Sequence, residues 1–176
     1  MRLLFVASSI VVLASPAGAH TTSDGFVTLE LRGNTLAGTV DLAVRDLHDA
    51  IGLDPYGDGA IAWRDVTARR DAITGYVAAR LGLATADGAC RLAFGGLGAR
   101  DRVDGKHVVV AITATCTAKP AVIDVTYGAL FDLDAQHRGI VAIAGARAIA
   151  RDARPIRIAV TGDGGYLSWL GVGGIA

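Results

Sequence analysis

From Phe26 to Leu31 the chain reads Phe-Val-Thr-Leu-Glu-Leu, close to the period of two that turns one strand face to a core and the other to water. Gly33-Asn34 supplies turn residues, and Thr35 to Leu42 resumes as a second strand, so the two predict a hairpin. At Val44 the period changes: Val44, Leu47 and Ile51 lie three and four apart, the spacing of one helix face, and Gly52 ends the run. A loop rich in Asp and Gly follows. Helical spacing then returns with Val66, Ile73, Val77 and Leu81, weakened by Gly75.

Beyond Gly88 the pattern is β: Cys90–Phe94, His107–Thr115, Val122–Phe131, Gly139–Ile143 and Ile156–Val160 are the strand candidates. Asp104-Gly105 and Lys119-Pro120 mark breaks. About seven short strands separated by turn residues predict a mainly β fold, an antiparallel β-sandwich, with helices inserted at about residues 44–83 after the second strand. A hairpin centred on Asp104-Gly105 brings Cys90 and Cys116 near each other, offset by about one residue pair, so their pairing requires a bulge or another strand order.

The two ends change the picture. Arg2, the apolar run Leu3–Ala14 and the small-residue exit Ser15–Ala19 form a secretory signal peptide over residues 1–19, with Ala17 and Ala19 in the A-x-A pattern that places cleavage before His20. The run is too short for a spanning helix, which takes roughly 20 residues. The exported domain is then residues 20–162, and the Gly-rich apolar tail 163–176 is long enough only for the start of a membrane helix. Export to the periplasm, an oxidising compartment, makes a Cys90–Cys116 disulfide the natural reading, with two buried free thiols as the alternative. Once Arg2 leaves with the leader, 16 Lys and Arg face 17 Asp and Glu; so balanced a charge gives no pull toward nucleic acid or anionic lipid.

Asp54 to Asp65 matches much of the twelve-residue EF-hand loop. Asp54 stands at position 1, Asp58 at position 5 and Gly59 at the glycine of position 6; Ala60 offers its carbonyl at position 7, Ile61 the apolar position 8, and Asp65 ends the loop. Tyr56 replaces the oxygen ligand of position 3, Ala62 adds nothing at position 9, and Asp65 is shorter than the usual bidentate Glu. A calcium site built on Asp54, Asp58, Ala60 and Asp65 is therefore expected to be weak, with Kd of roughly 10⁻⁴ to 10⁻³ M. The alternative is a helix-loop-helix turn whose aspartates cap and solvate.

Asp46-Leu47, Gly52-Leu53-Asp54, Gly57-Asp58-Gly59 and Trp63, followed by Tyr127-Gly-Ala-Leu-Phe131-Asp132-Leu-Asp134-Ala-Gln-His137-Arg138-Gly139, resemble two signatures of the soluble N-terminal region of HupE/UreJ-like bacterial membrane proteins. The likeness runs from about His20 to the C-terminus. It implies the periplasmic domain of a metal permease, preceding membrane helices that carry histidine. The sequence departs from that pattern at Trp169–Ala176, where the expected His is absent.

Two further groups bear on chemistry. His20, as a new N-terminus, would offer an amino group and an imidazole to Cu²⁺ or Ni²⁺, metals that favour nitrogen donors; otherwise it is an incidental residue of a frayed end. Asp132, Asp134 and His137 cluster at a turn and would either bind a divalent cation or cap the turn beside Arg138. His48 and His107 read as ordinary helix and strand residues.

The inventory argues against an enzyme. After cleavage only Ser23 and Ser168 remain as serines, neither within G-x-S-x-G, and no H-E-x-x-H or phosphate-cradling glycine loop is present. The functional expectation is a non-enzymatic exported domain with structural calcium, allied to a metal permease. The alternatives are a periplasmic copper or nickel carrier using His20, and an interaction module for a membrane partner.

Overall fold

The computed structural model describes residues 23–160. The expected leader, His20 and the tail 163–176 lie outside the described residues. Strands β1 (Asp24–Arg32) and β2 (Thr35–Ala43) form the expected hairpin, with Gly33 at φ +61° in the two-residue turn. Helix α1 (Val44–Ile51) buries Leu47 and ends as expected: Gly52 adopts φ +66° and donates its N–H to the His48 carbonyl.

The second helical stretch is not one helix. It is α2 (Trp63–Ala68) and α3 (Arg70–Arg80), broken at Arg69, and it stops at Leu81. There β3 (Leu81–Thr85) begins, because Leu81 and Leu83 alternate into the core and pair with Tyr127 and Val125. The remaining strands are β4 (Gly88–Ala89), β5 (Arg91–Arg102), β6 (Gly105–Thr115), β7 (Val122–Tyr127), β8 (Arg138–Ile143), β9 (Ala146–Ala150) and β10 (Ile156–Ala159).

Two sheets result, ordered β5-β6-β2-β1-β8-β9 and β10-β7-β3-β4. Val27, Leu29, Val110 and Ile143 of the first share one core with Leu83, Ile123, Val125 and Ile158 of the second. The fold is mainly β with inserted helices, as expected. One pairing is not antiparallel: β1 and β8 run parallel, Gly25 opposite Gly139, because the chain returns to β1 only after building the second sheet.

The disulfide joins Cys90 and Cys116, with Cα atoms 4.2 Å apart. The required bulge lies at Gly95-Gly96, where the β5–β6 register shifts between Phe94 and Leu97; Arg91 then faces Thr115 and the cysteines follow as the next pair. The hairpin turn itself is Val103-Asp104, one residue earlier than expected, and Gly105 follows at φ +128°. Opening this bridge, by reduction or by Cys90→Ala with Cys116→Ala, is expected to lower unfolding stability by about 3 kcal/mol in the chain-entropy description. Urea melts with and without reductant measure the difference.

Among the described residues no helix is long and apolar enough to cross a membrane.

Candidate functional site

At one end of the parallel β1–β8 pair, four polar side chains from distant segments join in a line. Ser23, just before β1, contacts Asp46 Oδ2 at 2.6 Å and His137 Nδ1 at 2.6 Å, and His137 Nε2 lies 2.9 Å from the Tyr127 hydroxyl. All four residues are buried, Asp46 least so. Chemistry orders the protons. An ionised carboxylate only accepts, so the one hydroxyl proton of Ser23 goes to Asp46. His137 Nδ1–H then donates to Ser23 Oγ, which leaves Nε2 to accept from Tyr127. Arg45 Nε–H donates to the other oxygen of Asp46 at 3.0 Å.

The line suits a neutral imidazole, and burial agrees with it: desolvation lowers the His137 pKa, outweighing the carboxylates of Asp46, Asp134 and Asp24. Burial likewise pushes the Tyr127 phenol far up, so it remains a donor. The rings enclose the imidazole: Tyr127 stacks on it with centroids 5.8 Å apart, and Phe131 meets it edge-on at 5.3 Å.

Two glycines make this possible. Gly25 and Gly139 face each other across β1–β8, and a Cβ on either would lie 1.9 Å from the Tyr127 hydroxyl or 2.3 Å from its ring. The paired absence of side chains is the slot in which the ring sits.

Sequence positions β7 and β8 around a tight turn. β7 ends at Tyr127 rather than at Phe131, and the Gly128 N–H makes the bond to the Arg80 carbonyl next to the Leu81–Tyr127 pair. Leu130 takes φ +67°, its N–H donates to the Tyr76 hydroxyl, and its carbonyl accepts from Leu133 and Asp134. Beside the turn opens a cavity of about 640 Å³, lined by Ser23, by Arg45, Asp46 and Asp49 of α1, and by Leu130, Leu133, Asp134, Ala135 and Gln136 of the turn.

The predicted ligand groups fall differently. Asp132 pairs with Arg80 at 3.2 Å, Asp134 accepts from the Gln136 N–H and faces the cavity, and His137 turns inward with both ring nitrogens bonded. The structure thus separates Asp132, Asp134 and His137 instead of converging them on one ion. His48 Nδ1 accepts from the Leu53 N–H. His107 is buried in β6, 3.5 Å from Asp104.

The Asp54–Asp65 loop curls around Asp54, whose carboxylate accepts from the N–H groups of Gly57, Asp58 and Gly59 at 2.7, 3.3 and 2.9 Å. These bonds, led by that from Gly59, hold its pKa below the ordinary carboxylate value. Gly59 takes φ +76°, the turn expected of the position-6 glycine. Asp58 accepts from the Ala60 N–H, and Asp65, buried, accepts from the Ala62 N–H at the start of α2. The Arg64 guanidinium lies 3.5 Å from Asp58 and 3.3 Å from Asp65. Among the described residues no group of three or more His, Cys, Asp or Glu is placed to hold a metal ion.

Ser23 was missed as a site residue by sequence reasoning, and Asp46 and Tyr127 entered only through the family likeness. Ser23 is 114 residues from His137, so no local spacing relates them. The one usable sign was the glycine at each of positions 25 and 139 in otherwise strand-forming runs, which points to a close approach of something large. No protein-family model matches this chain, and comparison with curated proteins gives no significant match.

Proposed function

We propose that this chain is a non-enzymatic exported domain that docks to a membrane partner and is allied to HupE/UreJ-like metal permeases. One observation carries the reading. The segments 46–63 and 127–139, which hold the two signatures, are far apart in sequence, yet Asp46 of one and His137 of the other are joined through Ser23. Arg45, Asp46 and Asp49 line the same cavity as Leu130 and the stretch Leu133–Gln136. Loss of either signature would dismantle the same face.

The proton order supports a non-catalytic role. A nucleophilic serine needs a base that takes its proton. Here the Ser23 proton is directed to Asp46, and in the order that follows His137 donates toward Ser23 instead of accepting from it. The disulfide fits an exported chain. When the tagged chain is isolated from gently solubilised membranes, a HupE/UreJ-like membrane protein is expected to be enriched, and Leu133→Asp to remove it. Absence of such a protein, or an unchanged yield after that substitution, contradicts the reading.

The loop geometry favours a second property, structural calcium. The bonds around Asp54 and the φ of Gly59 pre-form half of a calcium loop, while the Arg64 guanidinium between Asp58 and Asp65 supplies a built-in competing cation. Millimolar calcium is expected to raise the thermal midpoint of wild type slightly. Arg64→Ala is expected to raise apparent calcium affinity several-fold, and Asp54→Ala to abolish the response. Calorimetric titration of the three proteins checks the order; equal affinities in wild type and Arg64→Ala would remove guanidinium competition from the account.

A further inference from the structure

The cavity beside Ser23 has a chemical character that the docking role leaves open. Three carboxylates, Asp46, Asp49 and Asp134, face it against one guanidinium, Arg45. The oxygens of Asp46 are already engaged, one by Ser23 and one by Arg45. Asp49 is exposed on α1, and one Asp134 oxygen caps the turn through the Gln136 N–H. Negative charge therefore remains at the cavity from both α1 and the turn.

On the turn Leu133 stands 52 % exposed, whereas Leu130 is buried. An exposed leucine flanked by carboxylates, at the rim of a volume of about 640 Å³, lies within the size range of occupied ligand sites. An acidic ligand would meet like charge from both α1 and the turn. A wholly apolar one would strand the carboxylates away from water.

We propose that this cavity receives a basic, leucine-flanked peptide segment of the partner, with Leu133 taking its apolar side chain and Asp49 and Asp134 its cation. Charge complementarity selects this occupant. The inference rests on the docking role argued above and names the chemistry of the segment that docks.

The test is a titration of the ¹⁵N-labelled exported chain with acetyl-Leu-Lys-Leu-Arg-amide, and separately with acetyl-Leu-Glu-Leu-Glu-amide. The basic peptide is expected to shift the amides of Asp49, Leu133, Asp134 and Gln136. Its binding should weaken at least about tenfold between about 20 and about 300 mM salt. Asp134→Asn keeps the oxygen that caps the turn, and Asp49→Asn lies on an exposed helix face, so both variants should fold, which their spectra verify. Together they are expected to weaken binding about tenfold or more.

Equal binding of both peptides, shifts at other residues, or no shifts at all would overturn the proposal. So would cross-relaxation from His20 to Leu133 in the peptide-free protein, because the chain's own N-terminus would then fill the site. If the peptides fail while the membrane protein still co-purifies, the docking role stands and only the assignment of the cavity falls.

Discussion

Gly139→Ala is expected to destabilise the protein by about 4 kcal/mol, above the usual 1–3 kcal/mol for overpacking. The added methyl would lie 2.3 Å from Cδ1 and 2.6 Å from Cε1 of Tyr127. The ring has no direction in which to yield: it is 1 % exposed, stacked on His137 and bounded edge-on by Phe131. Gly25→Ala meets the same ring from the other strand, at the hydroxyl, 1.9 Å away. The two positions separate in a double-mutant cycle. Tyr127→Phe removes the atom that Gly25→Ala strikes, so it should recover part of that loss, and it should recover little of the loss from Gly139→Ala. Chemical denaturation of wild type, the three single variants and the two double variants with Tyr127→Phe supplies the energies. A loss below about 1 kcal/mol for Gly139→Ala would mean that Tyr127 does not occupy the slot.

The second large effect is expected at His137. His137→Ala should cost about 3–5 kcal/mol, because it empties a fully buried aromatic site and leaves the Tyr127 and Ser23 hydroxyls without their partner. The pH dependence carries a separate signature. The unfolded imidazole takes up a proton near pH 6.5, whereas burial holds the folded one to lower pH. Between those values the unfolded state binds more protons, so stability is full above about pH 6.5 and falls as the pH drops below it. The slope contributed by one such group is at most about 1.4 kcal/mol per pH unit. In His137→Asn, which retains an amide near the Nδ1 position and cannot titrate, this part of the slope should vanish. Urea melts from pH 7.5 to 5 measure it; an unchanged slope in the variant would place the titration elsewhere.

How far the sequence carried depended on whether the signal was local. The β1–β2 hairpin was legible because Gly33-Asn34 separates two strand-forming runs, and the end of α1 because a glycine follows the last residue of a helical face. The cysteine pair was legible down to its need for a bulge, which Gly95-Gly96 supplies. β3 was hidden because Val77 and Leu81 keep helical spacing just as the chain leaves the helix. β9 was hidden because Ala-Arg-Ala-Ile-Ala holds a single β-branched residue and becomes a strand through its pairing with β8. The parallel β1–β8 pairing has no sequence period at all.

The site divides in the same way. The acidic loop could be read residue by residue because its bonds span two to five positions. The line from Asp46 to Tyr127 could not, since Ser23 meets partners 23 and 114 residues away. Asp132, Asp134 and His137 looked like one cluster because they are close in sequence. The turn at Leu130 and the entry into β8 send them to an ion pair, a cavity wall and the core respectively.

Asp46, Ser23, His137 and Tyr127 form one proton-ordered line that ties α1 to the end of β7 and the start of β8. Long-range ¹H–¹⁵N correlation spectra of the imidazole test this most directly. At pH 7.5 the account predicts a neutral His137 with its proton on Nδ1 and Nε2 accepting. A proton on Nε2, or an imidazolium at that pH, would contradict it, because Ser23 or Tyr127 would then point its hydroxyl elsewhere and the line would be broken.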